Sequence, residues 1–187
     1  MAVYTKLSEN NLKDFFSKYN LGKLLNYKGI KEGIENTNYF IHTEKGKFIL
    51  TVYEKRVEEK DLPFFIGLMK NLFDASFPSP EPIINQNGNY ITEISKKKAA
   101  VVSFLDGSAK KSLSPINCHE IGIYTAKLHM ITKKLTGKRK NMLSIDSWRK
   151  LYKNVEKDCT KIHPNLTKII EKNLDEIENH WPKNIPS

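Results

Sequence analysis

Residues 29–56 read GIKEGIENTNYFIHTEKGKFILTVYEKR. Two runs rich in β-branched and aromatic side chains, 39–42 and 47–53, flank the polar turn Thr43-Glu44-Lys45-Gly46, which predicts an antiparallel hairpin. Residues 24–30 (LLNYKGI) predict a strand before it, with a polar turn over 31–38 between them. Further upstream, Ser8 can cap a short helix whose apolar positions Leu12, Phe15, Phe16 and Tyr19 share one face. Downstream, Asp61 is expected to cap a helix with Pro63 in its first turn and Leu62, Phe65, Leu68, Met69 and Leu72 as its stripe. A Pro-rich connector over 77–82 leads to three strand candidates: 83–84, then 90–94 across the Asn87-Gly88 turn, then 99–105.

The pattern changes after Asp106-Gly107. From the helix-start pair Ser114-Pro115 onward everything reads as helix. The stripes are Cys118, Ile121, Thr125 and Leu128; then Trp148, Leu151, Tyr152 and Val155; then Leu166, Ile169, Ile170, Leu174, Ile177 and Trp181. Trp148 and Trp181 read as core. The fold class expected is α+β in two lobes: an antiparallel-sheet lobe over 1–102, a hinge over 103–107, and a helical lobe from 108 to 187.

Composition narrows the function. The 187 residues are 39% hydrophobic, enough for a packed core rather than a disordered chain. No apolar run approaches the roughly 20 residues of a membrane span, and the start MAVYTKLSENNLKDFF lacks the basic-then-apolar order of a secretory signal. Cys118 and Cys159 show neither CxxC nor Cys/His spacing, which argues against a zinc finger or a disulfide scaffold and for the cytoplasm. Lys plus Arg is 31 against 21 Asp plus Glu, a net charge of +10 that attracts anions. The clusters Lys96-Lys97-Lys98, Lys110-Lys111 and 133–140 (KKLTGKRK) carry no RNP, helix-turn-helix or C2H2 pattern, so they read as loops and helix ends, not a nucleic-acid surface.

The segment 29–56, followed by DLPFFIGLMKNL at 61–72, resembles the bacterial homoserine kinases of the aminoglycoside-phosphotransferase-like type. The opening MAVYTKLS, the linker VVSFLDG at 101–107 and ENHWPKNIPS at 178–187 fit the same family, so the resemblance runs the length of the chain. It implies a protein-kinase-like fold, a nucleotide-binding sheet lobe, ATP and Mg²⁺ as cofactors, and L-homoserine as the phosphoryl acceptor on the way to threonine. Such chemistry is mostly positioning and charge neutralisation. On its own the turn over 33–38 is an ordinary hairpin loop, with one glycine and no GxGxxG pattern. The resemblance makes it the phosphate-covering turn and implicates Gly33, Asn36 and Asn38. Related kinases carry a phosphate-pairing lysine where this strand has Thr51; Lys55 and Arg56 are the nearest cations, with Glu54, Glu58 and Glu59 as alternative charge partners. Ser103, Phe104 and Leu105 would meet the adenine edge through their backbone; as pattern alone they are a plain buried strand. His129 reads as a packing histidine rather than a catalytic one, and no His shows metal spacing.

Kinases of this fold also use an HxDxxxxN loop and a later metal-binding Asp. No HxD occurs in the 187 residues. The expectation is therefore an N-terminal part of such a kinase: its helical lobe truncated, no catalytic or metal-binding residue of its own, little activity alone, and an exposed apolar patch over 166–181. A choline, sugar or aminoglycoside kinase, and a non-catalytic nucleotide- or partner-binding protein, are the rival readings. The sequence does not indicate an oligomeric state.

Overall fold

The computed structural model describes residues 3–54, 57–135, 137 and 139–182. The chain divides into two compact units, Met1–Lys138 and Arg139–Ser187. The first is built on an antiparallel sheet: β1 (Leu24–Ile30), β2 (Thr37–Thr43), β3 (Gly46–Val52), β4 (Pro82–Ile83), β5 (Ile91–Ile94) and β6 (Lys97–Ser103). The order is β1-β2-β3-β6. β5 and β4 lie along the other edge of β6, β5 on Lys97 to Ala100 and β4 on Val101 and Val102.

The expected hairpin is present. Thr43 pairs with Gly46, so two residues connect β2 and β3. The Asn87-Gly88 turn also forms, with Gly88 at φ +78° and the Asn85 Oδ1 accepting from the N–H groups of Asn87 and Asn89. The strands on either side of it do not pair with each other; each pairs with β6. β6 starts and ends two residues before the predicted 99–105.

Strand alternation sends Tyr39, Ile41, Phe48, Leu50, Val52, Ala99 and Val101 to one face. There α1 (Glu9–Phe16) lays down Leu12, Phe15 and Phe16, and Tyr19 follows just beyond the helix. The Ser8 hydroxyl accepts from the Asn11 N–H and the Asn11 carbonyl oxygen accepts from the Ser8 N–H, a reciprocal cap at 3.1 Å each way.

α2 (Leu62–Asp74) forms with Pro63 in its first turn, but Asp61 does not cap it. A 3₁₀ turn over Glu59–Asp61 leads straight into the helix, so Asp61 holds helical rather than extended backbone and its side chain makes no capping bond. The buried stripe is Leu62, Ile66 and Leu72; Phe65, Leu68 and Met69 are half-buried at its side. α3 (Pro115–Thr132) starts at the Ser114 cap as expected, yet none of its residues is buried. Ile121 and Met130 are 53% and 73% exposed, and His129 is exposed rather than packed between helices. No helix among the described residues is long and apolar enough to cross a membrane.

The second unit holds α4 (Ile145–Lys153), α5 (Glu156–Ile162) and α6 (Leu166–His180) around Tyr152, Cys159 and Leu174. Trp148, Leu166 and Ile170 pack against that centre. Leu151 and Val155, expected on the buried stripe, are exposed; Val155 lies in the break between α4 and α5. α6 is therefore partly covered, while Ile169, Ile177 and Trp181 stay open. Trp148 is half-buried and meets the exposed Trp181 edge to face, 5.5 Å between centroids. Arg149 ties α4 to α6 through Asp175 and through Glu178 at 2.8 Å.

Candidate functional site

The sheet face opposite the core carries the candidate residues. With Tyr39, Leu50 and Val101 turned to the core, the register Asn38↔Thr51↔Ala100 and Phe40↔Ile49↔Val102 falls on the other side. Phe104 continues that row past the end of β6, its ring edge-on to Phe40 at 5.3 Å. One end of this face is thus apolar and aromatic, and the other end, beside the β1–β2 turn, is polar. Phe40 escaped the sequence reading, although the alternation of residues 37–43 contains the signal that would have found it.

The β1–β2 turn holds Gly33 at φ +104°, a conformation that favours glycine. The Tyr4 hydroxyl donates to the Ile34 carbonyl at 3.0 Å and anchors the turn from outside. Among the described residues, no group accepts a hydrogen bond from the backbone N–H of residues 32–36. Thr51 and Asn38 come together: the threonine hydroxyl donates to the Asn38 Oδ1 at 2.8 Å. Asn36 joins the same end of the sheet, its Oδ1 accepting from the Glu54 N–H at 3.3 Å. Lys55 and Arg56 lie outside the described residues.

Of the three alternative acidic partners, Glu54 is committed elsewhere. Its side chain turns toward the core face and accepts from Thr5 Oγ1 at 2.6 Å, from Thr37 Oγ1 at 2.7 Å, and from the Lys97 ammonium. Lys97 also donates to Thr5 Oγ1 at 2.7 Å. Burial works to raise the Glu54 pKa, but the bonds from Lys97, Thr5 and Thr37 outweigh it and hold the carboxyl below its ordinary value. This network pins the N-terminal segment to the sheet. The sequence reading missed Lys97 because the two charges lie 43 residues apart. Glu58 pairs with Lys60 at 2.5 Å, and Glu59 stands 3.8 Å from Lys98.

At the expected hinge, two of the three backbone donors are already engaged. The Ser103 N–H donates to the Glu81 carbonyl at 2.9 Å and the Phe104 N–H to the Lys47 carbonyl at 3.1 Å. The Leu105 N–H has no described acceptor, and Leu105 is 48% exposed. No group of three or more His, Cys, Asp or Glu side chains among the described residues could hold a metal ion.

A family model described as "Phosphotransferase enzyme family" matches residues 26–187. The chain belongs to that family. Solved phosphotransferases share its fold: spectinomycin phosphotransferase with ADP and spectinomycin superposes with a TM-score of 0.70 over 98% of this chain and 60% of its own, at 12% identity. The AMP-bound form of that enzyme gives 0.63 over 97% and 61%, at 15% identity. The kinase-like α+β class expected from the sequence is thereby borne out. Among curated relatives, the homoserine kinases of Beijerinckia indica, Methylobacterium radiotolerans and Agrobacterium fabrum are 42%, 41% and 40% identical over the whole of this chain. It spans 58% of the length of each.

Proposed function

We propose that this chain is the N-terminal part of a homoserine kinase, which passes the γ-phosphoryl of ATP to the hydroxyl of L-homoserine during threonine biosynthesis in the cytoplasm. The observation that carries the reading is the identity of about 40% to homoserine kinases, sustained over the whole chain. In this reading residues 1–102 are the nucleotide lobe, 103–107 the hinge, and 108–187 the beginning of the helical lobe.

The open sheet face fits a nucleotide. Phe40, Ile49, Val102 and Phe104 offer an apolar floor for a purine, and the Leu105 N–H is the hinge donor left for its edge. Gly33, Asn36, Asn38 and Thr51 lie at the phosphate end, with Lys55 the nearest cation in sequence. Ser103 and Phe104 hold the hinge backbone in place through the bonds to Glu81 and Lys47. Mg²⁺, when bound, neutralises phosphate charge. The described residues present no ligand cluster for it, so its ligands and the acceptor-orienting carboxylate are assigned to the part of the relatives that this chain does not cover.

The test joins this chain to the segment of the Methylobacterium relative that the match leaves uncovered. ADP formation is then followed with L-homoserine, choline and spectinomycin. Homoserine-dependent ADP is expected, with background from the other two; turnover of either alternative in place of homoserine would overturn the reading. The 187-residue chain alone is expected to give no homoserine-dependent ADP, because it contains no HxD sequence.

A further inference from the structure

The polarity of two asparagines goes beyond their membership of the site. An asparagine amide has one acceptor end and one donor end, and a bond at one end fixes where the other points. At Asn38 the acceptor is taken by the Thr51 hydroxyl at 2.8 Å; at Asn36 it is taken by the Glu54 N–H at 3.3 Å. No described residue accepts from either Nδ2, and no buried side-chain nitrogen or oxygen lacks a partner, so both NH₂ groups face solvent. They do so beside a turn whose backbone N–H groups over 32–36 are equally uncommitted. The free end of each of these two amides is thus a neutral hydrogen-bond donor.

We propose that the nucleotide phosphates are recognised here by the Asn36 and Asn38 amides, with Thr51 as a positioning residue that keeps the Asn38 NH₂ group outward. The inference rests on the nucleotide-lobe reading above. It accounts for a threonine at the strand position where related kinases hold a lysine: Thr51 does not touch the phosphate but sets the direction of the group that does. Donors of fixed polarity bind only an anion or a lone pair, so their geometry adds a preference for phosphate to whatever a nearby cation supplies.

The test is calorimetric titration of the purified chain with ATP, and with adenosine as the probe that lacks phosphate. Asn38→Asp keeps the side-chain shape and replaces the donor end by an acceptor. It is expected to weaken ATP by about tenfold or more while adenosine changes by less than about twofold. Thr51→Val removes the hydroxyl that fixes the amide, and a several-fold loss confined to ATP is expected. Thr51→Ser restores the hydroxyl and is expected to restore the ATP preference, which separates positioning from packing. Thermal melts of each variant confirm that the fold persists. Equal losses for ATP and adenosine, no loss in Thr51→Val, or loss of ATP preference in Lys55→Met but not in Asn38→Asp would each overturn this inference and leave the nucleotide lobe standing. Failure of the unaltered chain to bind either probe would overturn the nucleotide-lobe reading itself, and this inference with it.

Discussion

Glu54 shows how a single side chain can look functional in sequence and be structural in space. It sits just after the strand that carries Thr51, yet its carboxylate holds Thr5, Thr37 and Lys97 on the core side. Its folded pKa lies below the ordinary 4.5, so its stabilisation is complete above about pH 4.5 and is lost as pH falls through the lower folded value. Glu54→Gln is expected to cost about 1–3 kcal/mol at pH 7. The cost should shrink toward nothing in acid, where the wild-type carboxyl is also neutral; urea melts of both proteins from pH 7 down to pH 3 measure this. An unchanged gap across that range would show that the charge is not what Glu54 contributes. A second residue-scale outcome concerns the β5–β6 turn. Ser95 and Lys96 both lie at positive φ, 51° and 61°, as a two-residue hairpin of the I′ kind requires, although neither is Gly or Asn. Lys96→Gly should therefore stabilise the protein by about 0.5–1 kcal/mol in thermal or chemical melts.

Among the elements, α1 and α3 differ in what anchors them. α1 is only eight residues long and would be marginal alone, but it buries Leu12 fully against the sheet. α3 is more than twice as long, starts with the Ser114 N–H and hydroxyl both donating to the Asn117 Oδ1, and buries no residue. Leu12→Ala should cost about 2–5 kcal/mol, whereas Ile121→Ala should cost less than about 0.5 kcal/mol. Denaturant midpoints of the two variants compare them directly, and a large loss at Ile121 would mean that α3 is covered in solution. The sequence offers Cys118, Ile121, Thr125 and Leu128 as a stripe, but Ile123, Tyr124 and Met130 lie off it, so α3 has no single apolar side to bury, and its Tyr124 ring meets Phe77 edge to face at 6.0 Å.

At the scale of the whole molecule, the two units have separate cores, Leu12 to Val101 in the first and Tyr152, Cys159 and Leu174 in the second. Both tryptophans, Trp148 and Trp181, lie in the second unit. Tryptophan emission therefore reports that unit alone, while far-UV circular dichroism also follows the sheet. The smaller core should give way first, so the emission transition is expected at lower denaturant than the main dichroism transition. Coincident transitions would instead mean that the two units unfold together.

Local chemistry determined a good deal by itself. The β2–β3 hairpin, the Ser8 and Ser114 caps, the Pro63 helix start and the end of the last helix before Pro182 all follow from turn residues, caps and periodicity within a few residues of each other. The family, too, was readable in residues 29–72, because its pattern is contiguous. What only the tertiary structure decided are relations between distant positions. Pairing of β4 and β5 with β6 rather than with each other made the Asn87-Gly88 turn a bend instead of a hairpin. Lys97 met Glu54 across the sheet, and Thr51 took hold of Asn38 on the neighbouring strand. In each case the partner is selected by strand register, which one segment of chain cannot encode until the other is beside it.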